Sequence, residues 1–427
     1  MRTDVTEVSR VSWRVVVLCS LVAFLDGFDT QLIGPAARSI ATDLGFQMSA
    51  FGPIFSASQI GFLIGALACS ALGDRLGRKR LLVLATLMFA LCSLGTALAE
   101  SYSALFVFRL LAGVGLGGAT PNFVSLASEF SPPALRARVV TMMWAAVPCG
   151  GMVGSFASSA AIPSLGWRAM FFLGAAAPLL VIPVLLTWLP ESRESQAGAV
   201  ERRSAVPDLF AGDRATATTW LWLASFMTWS VLVVVAFWTP ALLQRAGWSA
   251  SDAAAVLAVH NGGGVIGTLI VGTLLTRVRP FVALVAVLSG AALFIALMGV
   301  FAAQLSVLAT AAALAGFCCS AAGGALLAVA ASLYPGRARA TGVGWALGFG
   351  RIGSIVGPAA AGVLVGLAWS VTSIYWTIAI PAVLAAGFIL LLSRTRAFVE
   401  ASAAQAHPSP APDIKLSNGA IDVPKHS

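Results

Sequence analysis

Two carboxylates, Asp26 and Asp29, stand three residues apart inside the first long apolar run of the chain. On a helix that spacing places both on one face. An ionised carboxylate at the centre of a membrane helix costs about 2.5–3.5 kcal/mol on insertion scales. A neutral residue would pack there without that cost, so the pair points to proton carriage, with a structural polar pair as the other reading. Two guanidiniums are placed in the same way: Arg109 and Arg351 lie within apolar runs, the latter among Gly348, Gly350 and Gly353. A buried guanidinium needs an anionic partner, and a ligand carboxylate would meet its planar fork with two hydrogen bonds. For Arg351, pairing with a neighbouring helix is the alternative. His260, beside Asn261, either relays protons or binds a phenol, or is a packing histidine. Side chains able to stack on an aromatic ring are Phe226, Trp229, Phe237 and Trp238 in one run and Trp345 in another; each also fits a core or interface role.

These groups need a scaffold, and composition says which kind. Of 427 residues, 59% are hydrophobic and 10% charged, against roughly 25% charged in a soluble domain. Apolar stretches recur at 13–35, 50–72, 81–99, 103–127, 139–162, 168–189, 218–241, 253–275, 281–301, 304–332, 340–366 and 371–393. Each is long enough to cross about 30 Å of hydrocarbon as a helix, and none alternates as barrel strands do. The expected fold is an all-α membrane protein of twelve transmembrane helices. Residues 1–12 form a short N-terminal segment and 13–189 a first six-helix half. A charged linker follows at 190–217, then a second half at 218–393 and a disordered tail at 394–427. The first run passes through Asp26 and Asp29 without a small-residue cleavage site, which makes it an uncleaved helix rather than a signal peptide.

Charge placement sets orientation. With both termini cytoplasmic, 21 of the 26 Lys and Arg fall in cytoplasmic segments; only Arg38, Arg168 and Arg245 lie outside, and Arg109 and Arg351 lie within spans. That is a strong positive-inside bias. The net charge of +9 therefore serves topology, and no basic stripe with stacking aromatics exists to bind nucleic acid. Cysteines 19, 69, 92, 149, 318 and 319 all fall in apolar spans without metal-site spacing, so they read as packing residues and no metal is expected.

The halves echo one another. Arg136-Ala137-Arg138 leads to Trp144-Ala145, and Arg337-Ala338-Arg339 to Trp345-Ala346; Gly61 and Gly65 lead to Arg75 as Gly263 and Gly267 lead to Arg277. The offsets are 201 and 202 residues, which indicates duplication. Paired halves rocking about a central site are a recurrent transporter design. Gly113-x-Gly115-x-x-Gly118 matches a dinucleotide fingerprint on paper, yet it follows no strand, and close helix packing is the better reading. Glu129 ends the fourth run near Arg136 and Arg138 and is expected to pair with that loop, with substrate contact as the alternative.

Residues 73–80, Gly-Asp-Arg-Leu-Gly-Arg-Lys-Arg, join the second and third runs. This loop resembles the signature of the major facilitator superfamily, which implies that Gly73, Asp74, Arg75, Gly77 and Arg78 serve conformational switching. Asp26-Gly27-Phe28-Asp29 with Gly34-Pro35 is similar to the first-helix signature of the aromatic acid:proton symporters within it. Further matches are Arg109 with Gly113, Gly115 and Gly117 running to Pro121 and Glu129, then Leu189-Pro190-Glu191-Ser192, Trp238-x-Pro240, and Arg339 through Gly353; together they cover roughly residues 10–396.

The resemblance implies two pseudo-symmetric halves in the bacterial inner membrane and proton-coupled uptake of a small aromatic carboxylate such as a hydroxybenzoate or phenylpropanoate. Asp26 and Asp29 would couple protons. Arg351 and Arg109, with His260, Phe226, Trp238 and Trp345, would hold substrate. In that fold helices 1 and 4 line the cavity, which makes an Asp29–Arg109 contact geometrically reasonable. The proton gradient is the driving force; no cofactor and no enzymatic activity are expected, and a monomer is. The alternative is an efflux antiporter or uptake of another organic anion. Val147-Pro148-Cys149-Gly150-Gly151 departs from the pattern usual in drug exporters and argues against efflux.

Overall fold

The computed structural model describes residues 10–192, 206–211, 214–275, 277–334 and 336–399. Most of the expected linker, the tail beyond 399 and the side chains of Asp74 and Arg75 lie outside the described residues. The described chain is helical: α1 Trp13–Asp43, α2 Phe51–Leu76, α3 Arg78–Ala97, α4 Tyr102–Glu129, α5 Arg136–Trp144, α6 Ala146–Trp188, α7 Arg214–Arg245, α8 Ala250–Leu274, α9 Pro280–Val300, α10 Leu305–Leu333, α11 Gly336–Gly366 and α12 Val371–Ser393. Among the described residues, eleven stretches are long and apolar enough to cross a membrane, with α5 and α6 counted as one. Leucines and valines such as Leu180, Leu293 and Val383 are exposed around the bundle, as expected of side chains that meet lipid rather than water.

Two boundaries differ from the sequence expectation. The first helix was expected to end at residue 35 but runs to Asp43. Pro35 removes only one hydrogen bond, and inside a membrane bundle neighbouring helices make such a loss tolerable. The stretch expected as two helices at 139–162 and 168–189 is continuous from Ala146 to Trp188 except at Gly166, whose φ of 76° and ψ of 169° interrupt it. Only glycine adopts that conformation without strain. The linker also contributes structure: Val206–Leu209 forms a helical turn, and Leu209 is fully buried.

Contacts repeat across the halves: α2 packs on α4 as α8 packs on α10, and α3 on α4 as α9 on α10. The repeated glycines explain why. A Cβ at Gly61 would overlap the Leu110 carbonyl oxygen of α4, and one at Gly263 would overlap the Ala313 carbonyl oxygen of α10. Gly113 packs on Ser58 and Gly115 on Phe89, which identifies the fingerprint-like glycines as packing positions.

Between the halves, α6 meets α8 and α2 meets α11. The α2–α11 seam is closed at the end of the bundle that carries Asp43. There a Cβ at Gly362 would lie 2.9 Å from the Gly52 Cα, the Ser56 hydroxyl donates to the Ile355 carbonyl at 2.7 Å, and Arg38 donates to the Gln244 carbonyl at 2.7 Å. Toward the Gly77 end the same helices part: Gly344 and Gly348 face open space, and Leu67, Leu72 and Leu76 of α2 are exposed.

Candidate functional site

Asp29 and Arg109 do meet. Arg109 Nη1 lies 3.3 Å from Asp29 Oδ2, its Nε donates to Thr96 at 3.1 Å, and its guanidinium lies over the Phe171 ring at 5.1 Å. The Ser93 hydroxyl donates to the other Asp29 oxygen at 2.6 Å. Asp29 is fourteen residues, about 21 Å, from the α1 end at Asp43, and Arg109 is seven, about 10 Å, from the α4 start at Tyr102. The side chains meet although these depths differ, because α1 runs on past Pro35 to Asp43. Both side chains are sealed, 1% and 2% exposed, among α1, α3, α4 and α6. In this conformation Arg109 is closed off from a ligand, contrary to its expected substrate role.

Asp26 faces the other way. It accepts a hydrogen bond from Thr30 at 3.3 Å and lies near enough to Arg351, across the seam between the halves, to feel its charge, although the two form no ion pair among the described residues. Arg351 is half-buried. Its guanidinium is held between two aromatic faces, Phe62 of α2 at 3.9 Å and Trp229 of α7 at 4.7 Å. Such contacts contribute about 0.5–2 kcal/mol each and orient the planar fork without using its hydrogen-bond donors. The Trp229 indole N–H is buried without a partner among the described residues, and Gly350 leaves room for that ring. The arrangement offers a cation, an aromatic slot and a carboxylate at the meeting of the two halves.

The remaining expected residues divide. His260 is buried with Nδ1 3.1 Å from the Ala312 carbonyl; its neighbour Asn261 hydrogen-bonds Gln31 of α1 at 3.2 Å. Phe226 is half-buried on α7, its carbonyl against Gly353. Trp238 is fully enclosed, donates to the Pro358 carbonyl at 3.1 Å and meets Phe55 edge-on, so packing occupies it. Trp345 stacks on Trp222 at 5.6 Å, away from Arg351. Sequence reasoning missed Phe62, Ser93, Thr96 and Phe171. Phe62 alone carried a signal, since it stands inside the repeated Gly61–Gly65 segment.

At the Gly77 end a separate cluster ties helix ends together. Glu129 pairs with Arg78 and accepts from the Ser192 hydroxyl, while Glu191 accepts from the Lys79 backbone N–H at 3.0 Å. Glu129 was expected to pair with the Arg136/Arg138 loop; instead Arg136 donates to the Ser131 carbonyl and Arg138 is exposed. The correction follows from the α2–α3 turn, where Gly77, at φ 93°, brings Arg78 against the end of α4.

A profile of the Major Facilitator Superfamily matches residues 19–303 and 279–420. Among curated proteins, the 3-(3-hydroxy-phenyl)propionate transporter of Escherichia coli is 38% identical over 404 residues, covering 92% of this chain and 98% of its own. The 4-hydroxybenzoate transporter PcaK of Pseudomonas putida is 36% identical over 416 residues, covering 88% and 91%. Among solved structures, a D-xylose-proton symporter superposes with a TM-score of 0.75 at 19% identity, over 88% of this chain and 97% of that one. A bacterial homologue of the human lysosomal transporter Spinster gives 0.71 at 20% identity, over 94% and 99%. On profile, relatives and fold together, the chain belongs to the major facilitator superfamily and, within it, to the aromatic acid transporters.

Proposed function

We propose that this protein imports a small aromatic carboxylate, a hydroxybenzoate or phenylpropanoate, together with a proton. The observation that carries this reading is Arg351, a guanidinium between Phe62 of one half and Trp229 of the other, with Asp26 in its field. The cation takes the carboxylate and the aromatic faces take the ring. Asp26 competes for Arg351 when ionised and releases it when protonated, so proton and substrate load together. Asp29, one turn further along α1, neutralises Arg109 behind it, and His260 fixes α8 against α10 through the Ala312 carbonyl.

In this reading α6 counts as two spans about Gly166, giving twelve, with halves 13–189 and 218–393 and both termini cytoplasmic. The Asp43 end then faces outward, so the conformation is closed outside and open to the cytoplasm along the parted ends of α2 and α11. The Arg78–Glu129 cluster at the inner end serves the switch between states. The protein acts as a monomer in the bacterial inner membrane, with no catalytic step of its own and the proton gradient as its only driving force.

The test is uptake by purified protein in liposomes under an imposed inward proton gradient. Wild-type protein is expected to concentrate 4-hydroxybenzoate or a hydroxyphenylpropionate, and Asp26→Asn to bind the acid without concentrating it. Gradient-independent equilibration by the wild type, or full accumulation by the variant, would overturn the coupling.

A further inference from the structure

α1 and α8 touch through two side-chain amides. Gln31 Nε2 donates to Asn261 Oδ1 at 3.2 Å across the seam between the halves. The second atom of each amide, Gln31 Oε1 and Asn261 Nδ2, is buried and has no partner among the described residues. Space for the pair comes from α6: a Cβ at Gly151 would lie 2.8 Å from Gln31 Cγ and 3.1 Å from Asn261 Cγ. Buried polar atoms are ordinarily paired, because an unpaired one has given up its hydrogen bond to water without replacement. Here one acceptor and one donor are left open on adjoining side chains.

Their position relative to Arg351 gives the vacancy meaning. Gln31 follows Asp26 by five residues, about 7.5 Å along the α1 axis, and its amide reaches the second half at Asn261, the half that also carries Arg351. A ligand whose carboxylate sits on Arg351 and whose ring runs along α1 toward Gln31 would bring its far substituent to the amides. A hydroxyl group donates one hydrogen bond and accepts others, which matches an open carbonyl oxygen beside an open amide N–H. A ring hydrogen or methyl group leaves both unpaired.

We propose that Gln31 and Asn261 are specificity-determining residues that read a ring hydroxyl remote from the carboxylate. The proposal rests on the aromatic-carboxylate reading of Arg351 and adds the discrimination among such acids. A hydroxyl next to the carboxylate stays close to Arg351 and does not reach the amides; a para hydroxyl does.

Equilibrium binding of benzoate, 2-hydroxybenzoate and 4-hydroxybenzoate to purified wild type, Gln31→Met and Asn261→Leu tests this. The wild type is expected to prefer the 4-hydroxy acid over both others by about tenfold or more, since a site built to bond a hydroxyl rejects analogues lacking it. Each variant should weaken the 4-hydroxy acid alone and bring the ratio near unity. Equal wild-type affinity for the 2- and 4-hydroxy acids overturns the proposal without any variant. So does a ratio that survives both substitutions. Equal weakening of all three acids marks the amides as a latch between halves and also overturns it. Failure of the wild type to bind any of the three or 3-(3-hydroxyphenyl)propionate removes the Arg351 reading itself, and this inference with it.

Discussion

Asp29 and Asp26 share one turn of α1, and they have opposite surroundings. Asp29 and Arg109 are closed inside one half, with Ser93 on Asp29, Thr96 on the Arg109 Nε and Phe171 against the guanidinium, while Arg109 Nη2 has no partner among the described residues. Asp26 and Arg351 come from different halves, and Arg351 is half-buried between aromatic faces that leave its donors free. A pair completed within one rigid body holds that body together whatever the other does. Charges divided between two bodies approach or part if those bodies move. Two residues of the same type, three positions apart, thereby stand in settings suited to different roles.

The largest expected effect separates these roles through protein amount. Asp29→Leu leaves Arg109 as an unpaired buried charge, a loss of about 3–5 kcal/mol, and should deplete the folded protein from the membrane. Asp26→Leu, whose partner is half-buried, should leave the amount near wild type. Quantitative immunoblotting of membranes decides, and equal depletion in both would erase the distinction. Next in size is Arg351→Lys, which keeps the charge and discards the planar fork. Loss of hydrogen bonds to a charged group costs about 1.5–3 kcal/mol, so apparent KM for the aromatic acid should rise roughly 10- to 100-fold at normal expression. Unchanged KM would remove Arg351 from the site. The smallest is Phe62→Leu. Loss of one cation–π face costs about 0.5–2 kcal/mol, a rise in KM of a few-fold to about thirtyfold. Phe171→Leu, under the sealed Arg109, should leave KM unaltered.

Much of the architecture was legible in the sequence, and the reasons are physical. Length and apolarity mark each span, and the glycines at 61, 65, 263 and 267 mark where helices must touch. Repetition of such strict steric demands survives divergence. Pro35 misled because proline breaks helices in water, whereas here α1 runs on to Asp43. The aspartates misled more subtly. Three residues on a helix fall about 60° short of a full turn, close enough to share a face yet wide enough to send one side chain into the half and the other to the seam. Ser93 and Thr96 had no local signature at all, since nothing in α3 itself shows that a charge on α4 will pack against it. Phe62 became meaningful only once α2 and α11 were seen to cross at Arg351.

One consequence follows from the closed end of the seam, where Gly52 of α2 lies against Gly362 of α11. A contact of main chain on main chain has no rotamers to freeze as it forms and none to liberate as it breaks. At that crossing itself closure orders no side chain, and the entropy of closing this end is concentrated in the flanking Ser56 and Arg38, whose hydrogen bonds to the Ile355 and Gln244 carbonyls fix them. A bulkier residue at either glycine would hold the two main chains apart, whereas a change at Arg38 would alter only the cost of ordering one long side chain.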